Sequence, residues 1–246
     1  MRILITNDDG WADGGVEILQ KAIGDLGDVF IVLPESNQSA VSHAMTLISP
    51  LRIQKIDRRR YVVNGTPADC VRLGALEIMK GKVGLIISGI NSGPNLGDDV
   101  SYSGTIAGAR EGSIMGIPSF AISLVTDKGL HYSTAAYWAR ILAEKILNKG
   151  LPKRIFLNVN VPDLPSNRIK GASITRQGVR VYDSKIFKRK DPKGIDYYWI
   201  CGRRVSGIFE KGTDLLAIRE GRVSITPLTL DSTSNESLKE LKKWRL

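Results

Sequence analysis

Apolar strand-like runs alternate with helical patterns over residues 1–165, and this alternation constrains the fold more than any other feature of the chain. Strands are predicted at residues 2–6, 29–33, 51–56, 61–63, 83–88, 119–124 and 154–161, and helices at 16–26, 67–80, 106–115 and 131–149. Most of the strand-like runs are apolar at consecutive positions, which is typical of strands buried on both faces of a parallel sheet. The pattern therefore predicts an α/β fold with a largely parallel sheet.

The C-terminal part, residues 166–246, has a different pattern. Two β-rich runs flank a charged segment, Lys-Arg-Lys-Asp-Pro-Lys-Gly, and predict a long hairpin at about residues 176–204. A short strand at 222–226 is expected to end at Pro227, and a capped amphipathic helix is expected at 234–246. We interpret the chain as a single structural domain with an extension, and we expect the projecting hairpin to pair with another subunit.

Composition limits the setting in which the protein works. A chain of 246 residues with 42% hydrophobic residues can bury a large core. Cys70 and Cys201 are too few for a disulfide framework, which favours a reducing compartment. No apolar run reaches the length of a membrane span, and Asp8 and Asp9 interrupt the N-terminal run too early for a signal peptide. We therefore expect a cytoplasmic protein with no membrane partner.

The net charge of +10 is compatible with several classes of partner. A basic protein can bind nucleic acid, an anionic membrane surface or an anionic small substrate, or can simply be soluble. Five basic residues cluster at the predicted hairpin tip: Lys185, Lys188, Arg189, Lys190 and Lys193. This cluster is equally typical of a solvated tip, so nucleic acid is not expected as the main partner.

The stretch Ile-Leu-Ile-Thr-Asn-Asp-Asp-Gly ends the first predicted strand with two adjacent carboxylates, Asp8 and Asp9. Gly10 supplies the freedom for a turn that brings both side chains together. One aspartate could cap the next helix while the other is solvated; alternatively, the pair holds a divalent cation through hard oxygen ligands, which suits Mg²⁺ or Mn²⁺. With only His43 and His131 in the chain, a histidine-rich zinc site is excluded.

Two further loops follow strands of the same predicted sheet, so all three loops are expected along one edge. Residues 34–43 contribute Ser39, Ser42 and His43, and His43 is either a surface residue or a group that contacts phosphate or a leaving oxygen. Residues 88–105 end in Ser103-Gly104-Thr105 before a helix. This start is either an ordinary cap or a phosphate site, and it is not a P-loop because no Gly-Lys-Ser/Thr follows. A cation site beside an anion site suits a phosphorylated substrate that bridges a metal.

The order of these segments resembles one family over almost the whole chain. The segments are Ile-Thr-Asn-Asp-Asp-Gly, Gln-Ser-Ala-Val-Ser-His, Gly-Thr-Pro-Ala-Asp-Cys-Val, Ser-Gly-Ile-Asn-Ser-Gly-Pro-Asn-Leu-Gly, Tyr-Ser-Gly-Thr-Ile-Ala-Gly-Ala-Arg-Glu-Gly, Thr-Arg-Gln-Gly and Ser-Ile-Thr-Pro-Leu. Together they resemble the SurE family, the stationary-phase survival protein E group of 5′-nucleotidases. The resemblance implies a Rossmann-like α/β/α core and a metal-dependent phosphatase acting on nucleoside monophosphates. It also implies dimers or tetramers formed through the C-terminal extension.

The resemblance also implies roles for individual residues. One divalent metal ion per subunit would be held by Asp8, Asp9, Ser39 and Asn91. Phosphate would be held by Asn95, Ser103, Gly104 and Thr105. The expected catalytic residues are Asp8, Asp9 and His43: an aspartate, with Asp8 the first choice, would position or deprotonate the attacking water, and His43 would assist the leaving oxygen.

Other interpretations of the sequence remain as alternatives. An aspartyl-phosphate phosphatase requires two aspartates separated by one residue, whereas Asp8 and Asp9 are adjacent. Nucleoside 3′-monophosphates and short-chain polyphosphate are alternative substrates, as is the wider range accepted by an acid phosphatase. A non-enzymatic nucleic-acid-binding protein is the less favoured interpretation from a different class.

Overall fold

The computed structural model describes residues 1–12, 14–126 and 130–244, with the backbone alone at residues 12, 183–184 and 201–206. The strands are β1 (Arg2–Thr6), β2 (Asp28–Pro34), β3 (Ile53–Lys55), β4 (Arg60–Val63), β5 (Leu85–Ser92), β6 (Ser119–Val125), β7 (Ile155–Pro162), β8 (Ala172–Ile174), β9 (Val179–Lys190), β10 (Asp196–Ile208) and β11 (Val223–Thr229). The α-helices are α1 (Gly15–Ile23), α2 (Pro67–Leu73), α3 (Gly104–Ile114), α4 (Tyr132–Lys149), α5 (Asp214–Arg219) and α6 (Asn235–Leu241).

Within the described ranges, nine strands form one sheet in the order β3-β4-β2-β1-β5-β6-β7-β11-β8. The central pairs β4-β2, β2-β1, β1-β5, β5-β6 and β6-β7 are all parallel. Antiparallel pairing occurs between β3 and β4 and between β7 and β11. The predicted α/β fold with a largely parallel sheet is confirmed.

Helices cover both faces of the sheet, as the run of apolar residues on the central strands requires. On one face α1 and α4 pack together over a cluster that includes Ile5, Leu19 and Ile87. On the other face α2 and α3 pack together, and the clusters beneath them include Leu4 and Ile106. The result is the three-layer α/β/α core implied by the family resemblance.

The chain changes direction across the sheet between β1 and β5. From β1 it builds β2 and β4 on one side, and from β5 it builds β6 and β7 on the other side. The loops that follow neighbouring parallel strands diverge at such a switch point and leave a crevice at the carboxyl ends of the strands. The fold therefore brings the loops after β1, β2 and β5 to one crevice.

The C-terminal part contributes to this core as well as extending from it. β8 and β11 join the main sheet, so the predicted boundary at residue 165 does not coincide with the edge of the sheet. The hairpin of β9 and β10 forms a separate two-stranded sheet from Val179 to Ile208, so it begins and ends a few residues later than the predicted range of about 176–204. The terminal helix is α6 followed by a 3₁₀ turn to Trp244, and the last two residues of the prediction lie outside the described residues.

Several predicted boundaries were wrong for physical reasons. β11 continues through Pro227 because β8 pairs with it only as far as Ile225; beyond that point one edge of β11 is open, where a missing N–H is tolerated. β5 runs to Ser92 instead of ending at Ser88, through a register shift. α2 ends at Leu73, and a π-helical segment, Gly74–Ile78, follows it directly. β8 and α5 were not predicted because they are short.

No helix in the described part of the chain combines the length and the apolar character that a membrane crossing needs.

Candidate active site

The turn after β1 presents the two adjacent aspartates. The Asn7 side chain closes this turn in both directions: its Nδ2 donates to Gly10 O at 2.8 Å, and its Oδ1 accepts from Gly10 N at 3.0 Å. Gly10 has φ +70°, in the left-handed region that side chains disfavour. The turn thus breaks the alternation of the strand, and both Asp8 and Asp9 line the same cavity.

The loop after β2 is tied to this turn and carries Ser39. Gln38 N donates to Asp8 O at 2.7 Å, and Asn37 Nδ2 donates to Asp9 Oδ1 at 3.2 Å. Asn37 Oδ1 in turn accepts from Ser39 N at 2.8 Å. These contacts hold the loop of Ser39 against the turn of the two aspartates, and all three residues line the same cavity.

The end of β5 and the loop after it contribute two asparagines, Asn91 and Asn95. The register of β5 against β6 shifts between Ser88 and Asn91, so three steps on β5 match two on β6, as in a β-bulge. Asn91 Nδ2 donates to Gly93 O at 2.9 Å, so the amide oxygen is the atom of this side chain that would ligate a cation. Asn95 is buried, and its Nδ2 donates to Ser123 Oγ at 2.8 Å.

Two buried asparagines of β7 hold the Asn95 backbone. Asn160 Oδ1 accepts from Asn95 N at 2.9 Å. The amide groups of Asn158 and Asn160 both donate to Asn95 O, at 2.8 and 3.0 Å. Asn158, Asn160 and Ser123 were not predicted from the sequence, although asparagines at alternate positions of the otherwise apolar strand β7 are a recognisable signal.

The N-terminus of α3 lies directly against Asp8. Ser103 is the N-cap, with Oγ accepting from Ile106 N at 3.1 Å, and it lines the cavity. Thr105 is buried and its Oγ1 donates to Asp8 Oδ1 at 2.5 Å. Gly104 and Thr105 are not among the residues that line the cavity. Gly104 packs against Asp8, and Thr105 donates to the Asp8 carboxylate.

Burial is the main influence on the Asp8 carboxyl group. Its desolvation raises the pKa to about 6, the hydrogen bond from Thr105 opposes this shift, and the charge of Asp9 adds to it. Without a bound cation, both burial and the charge of Asp9 therefore disfavour the ionised form of Asp8. A cation bound between the two carboxylates would offset both the burial and the repulsion.

The cavity has a volume of about 520 Å³, within the range of sites that enclose small organic ligands. It is lined by Asp8, Asp9, Ser39, Ala40, Asn91, Ser92, Gly93, Pro94, Asn95, Asp99, Tyr102, Ser103 and Tyr182. Three of these residues are carboxylates, and none of the described lining residues is Lys, Arg or His. Since Asp99 is paired with Arg180, the acidic charge that a bound cation would offset is mainly that of Asp8 and Asp9.

The donor set fits a hard divalent cation. Two carboxylates, a serine hydroxyl and an asparagine amide oxygen come together from β1, the β2 loop and β5. Within residues 1–12, 14–126 and 130–244, no group of three or more His, Cys, Asp and Glu side chains is placed to hold a metal. An all-oxygen set with two carboxylates is typical of Mg²⁺ or Mn²⁺ rather than of a soft-metal site.

His43 is placed differently from the other predicted residues, because it is not among those that line the cavity. Its Nε2 lies 2.9 Å from Glu111 Oε2. Glu111 is almost fully buried on α3 and also pairs with Arg72 of α2, with Arg72 Nε 2.6 Å from Oε1. Glu111 and Arg72 were not identified from the sequence, since their proximity depends on the packing of α2 against α3.

The base of the hairpin closes one side of the cavity. Arg180 Nη2 lies 3.2 Å from Asp99 Oδ2, and Arg180 N donates to Asp98 Oδ2 at 2.8 Å. The fully buried Asp214 accepts from Gly97 N and Gly178 N, at 2.9 and 2.8 Å. The hairpin is therefore attached at its base to the loop that carries Asn95.

Replacing Gly104 with Ala should reduce activity strongly. An added Cβ would lie 2.8 Å from Asp8 Cβ and 3.1 Å from Gln38 O, so Asp8 or α3 must shift. Misplacement of a reacting group by about 1 Å costs on the order of 10²-fold in rate. Phosphate release by Gly104→Ala should be compared with that of Gly14→Ala, where a Cβ meets nothing within 4 Å; equal activities would contradict this packing.

The fold and this crevice define the class of the protein: an α/β protein with an acidic, oxygen-lined site at the switch point of a parallel sheet. The family model for "Survival protein SurE" matches residues 3–184. The chain belongs to the SurE family.

Individual relatives support this membership over the full length of the chain. A protein of Geotalea daltonii described as "5′-nucleotidase SurE" is 48% identical, covering 100% of both chains. An Aquifex aeolicus protein of the same description is 44% identical, covering 97% of this chain and 96% of its own. The crystal structure of a SurE protein from Aquifex aeolicus has a TM-score of 0.88 at 43% identity and covers 100% of both chains.

Proposed function

We propose that this protein is a metal-dependent phosphatase that hydrolyses nucleoside 5′-monophosphates to nucleoside and phosphate. The observation that carries the proposal is the acidic cavity: its described lining includes Asp8, Asp9 and Asp99, of which Asp99 is paired with Arg180, and the N-terminus of α3 lies beside Asp8. Such a site attracts a dication first and a phosphate only afterwards. The relatives described as 5′-nucleotidases supply the reaction class.

In this proposal Asp8, Asp9, Ser39 and Asn91 hold one Mg²⁺ or Mn²⁺ ion per subunit. When bound, such an ion neutralises phosphoryl oxygens and makes water a better nucleophile at neutral pH. The hydrogen bonds from Gln38 and Asn37 keep the loop of Ser39 against the two aspartates. Thr105 fixes the rotamer of Asp8 through the 2.5 Å contact to its Oδ1.

The phosphate is held between Asn95 and the start of α3. The first N–H groups of a helix have no partner within the helix, and their dipoles favour an anion. Ser103 lines the cavity at this point, while Gly104 permits the close approach of α3 to Asp8. Thr105 contributes in two ways: its hydroxyl holds Asp8, and its backbone belongs to the N-terminus of α3. Asp8 or Asp9 orients the attacking water and accepts its proton.

The role of His43 at the leaving oxygen stays a prediction, and its contact with Glu111 suggests a matched test. A general acid raises the rate of hydrolysis strongly when the leaving group is poor and hardly at all when it is good. If His43 is the acid, His43→Asn should lower hydrolysis of a nucleotide by about 10²-fold and leave p-nitrophenyl phosphate nearly unaffected. An equal loss on both substrates would instead assign His43 to holding the loop of Ser39.

The subunits associate through the C-terminal extension as a homodimer or homotetramer. The hairpin exposes several large apolar side chains, including Ile186 at 70% and Ile200 at 86% exposure, and an isolated two-stranded sheet is marginally stable in water. A second copy of the chain is the partner that this surface fits. Light scattering on the purified protein tests this proposal; a monomer at micromolar concentration would rule it out.

The enzyme works in the cytoplasm, where Cys70, a free and buried thiol, stays reduced. Nucleic acid is not its main partner. Part of the basic charge of the hairpin tip is neutralised, since Lys188 and Lys190 pair with Asp196 at 2.6 and 3.1 Å.

The test of the proposed function is phosphate release from nucleoside 5′- and 3′-monophosphates and from short-chain polyphosphate. Each substrate is assayed with Mg²⁺, with Mn²⁺ and with a chelator. Metal-dependent release that is fastest from 5′-monophosphates supports the proposal. Faster release from polyphosphate would reassign the substrate, and no release with either metal would refute the reaction class.

A further inference from the structure

Two tyrosines lie among the residues that line the catalytic cavity. Tyr102 follows the 3₁₀ segment Gly97–Ser101 and is 63% exposed, and Tyr182 lies on β9 and is 39% exposed. The other lining residues form the acidic and amide-rich site described above, which is suited to a metal and a phosphate. The metal site and the phosphate site therefore leave the two aromatic rings without a function.

The two tyrosines are held by a common residue, Asp99. The Asp99 carbonyl oxygen accepts from Tyr102 N at 3.0 Å. The Asp99 carboxylate contacts the guanidinium of Arg180, two residues before Tyr182, with both Nε and Nη2 at 3.2 Å from Oδ2. In addition, Tyr102 O accepts from Ser42 N at 2.9 Å, which connects it to the loop of Ser39. The backbone around both tyrosines is thus tied to the loops that form the site of the reaction.

We propose that Tyr102 and Tyr182 bind the nucleobase of the substrate. This inference rests on the proposed function and names the part of the site that separates a nucleotide from other phosphomonoesters. A cavity of about 520 Å³ has room for a ligand larger than phosphate, and exposed aromatic rings bind the flat faces of bases by stacking. Both rings are specificity-determining residues, and neither takes part in the transfer of phosphate.

The test compares two substrates that differ only in the base: adenosine 5′-monophosphate and ribose 5-phosphate. Tyr102→Ala and Tyr182→Ala should each raise KM for the nucleotide about tenfold with little change in kcat, because stacking holds substrate and transition state alike. For ribose 5-phosphate, kcat/KM should stay within twofold of the wild-type value. Tyr102→Phe and Tyr182→Phe keep the rings and should retain the wild-type KM.

Tyr197→Ala is the matched control for Tyr182→Ala. Tyr197 lies on the neighbouring strand β10 at 42% exposure and does not line the cavity. The Tyr197→Ala variant should hydrolyse both substrates as the wild type does. An equal loss on both substrates in the Tyr102 and Tyr182 variants, or no loss on the nucleotide, would overturn the inference.

Binding of adenosine separates this inference from the proposed function. Adenosine has no phosphate, so equilibrium dialysis with the full-length protein reports the base site whether or not the enzyme hydrolyses phosphomonoesters. About tenfold weaker adenosine binding by Tyr182→Ala and Tyr102→Ala, with normal binding by Tyr197→Ala, supports the assignment. If adenosine does not bind to the wild type, or binds equally to the wild type and to the Tyr102 and Tyr182 variants, the inference is overturned. Failure of the proposed function appears separately, as wild-type protein that releases phosphate from neither substrate.

Discussion

Asp8→Asn is expected to lower nucleotide hydrolysis by on the order of 10³-fold while leaving the protein folded. Asn has the same shape as Asp but carries no charge, so the site loses half of the carboxylate charge of its proposed ligands. Asp8 is buried, and the hydrogen bond from Thr105 holds its carboxylate in position.

The stability of the metal-free protein should not fall in this variant. Burial disfavours the charged form of Asp8, and the charge of Asp9 adds to this effect. Removing that charge relieves an unfavourable interaction, so the Tm measured in chelator should match or exceed that of the wild type. This is the usual relation between a functional site and the stability of the protein that carries it.

The control for Asp8→Asn is Asp25→Asn, which changes an exposed carboxylate that pairs with Arg140 away from the cavity. Its activity should stay within twofold of wild type. Near-normal hydrolysis by Asp8→Asn, or unfolding of that variant at the assay temperature, would contradict the assignment of Asp8 as a functional ligand.

Removal of divalent metal should have an effect of similar size on the wild-type enzyme. In excess chelator we expect hydrolysis to fall by at least about 10³-fold, since the acidic cavity then repels the phosphate dianion. Adding Mg²⁺ or Mn²⁺ should restore the activity, whereas Na⁺ or K⁺ at equal ionic strength should not.

The same experiment has a readout that does not depend on activity. A ligand at 100 times its Kd stabilises the folded state by about 2.7 kcal/mol. For a chain of this length that corresponds to an increase in Tm of about 5–10 °C. Asp8→Asn should show a much smaller increase. Hydrolysis that persists in chelator, together with a Tm that is insensitive to the metal, would show that the reaction does not need the ion.

Local patterns were sufficient for the features that depend on neighbouring residues. The apolar strands predicted the parallel sheet, and the adjacent Asp8 and Asp9 followed by Gly10 indicated the turn. Once the strands were placed, the rule that ligands lie at their carboxyl ends brought Ser39, Asn91 and Ser103 to the same edge. These inferences need only the order of strands and helices along the chain.

The features that could not be predicted depend on packing between distant segments. Glu111 meets His43 and Arg72 only because α2 and α3 lie side by side. Asn158 and Asn160 support Asn95 across more than sixty residues of sequence. These partners are set by tertiary packing, and no short-range pattern reveals them.

The hairpin illustrates the same limit at its base and at its ends. Tyr182 reaches the cavity because Asp98 and Asp99 hold Arg180, a contact between segments eighty residues apart. Pro227 was expected to end a strand, and it did not because its N–H position faces an open edge of β11. In both cases the decisive fact is which neighbouring segment is present or absent.

The measurement that tests the central claim most directly is calorimetric titration of Mn²⁺ into the metal-free protein, carried out on wild type and Asp8→Asn. The account predicts one ion per chain in the wild type and at least about 10²-fold weaker binding in the variant, because the two aspartates are the only charged groups among the four proposed ligands. Asp25→Asn should bind as the wild type does. Equal binding by wild type and Asp8→Asn, or no binding by the wild type, would contradict a metal site at this cavity.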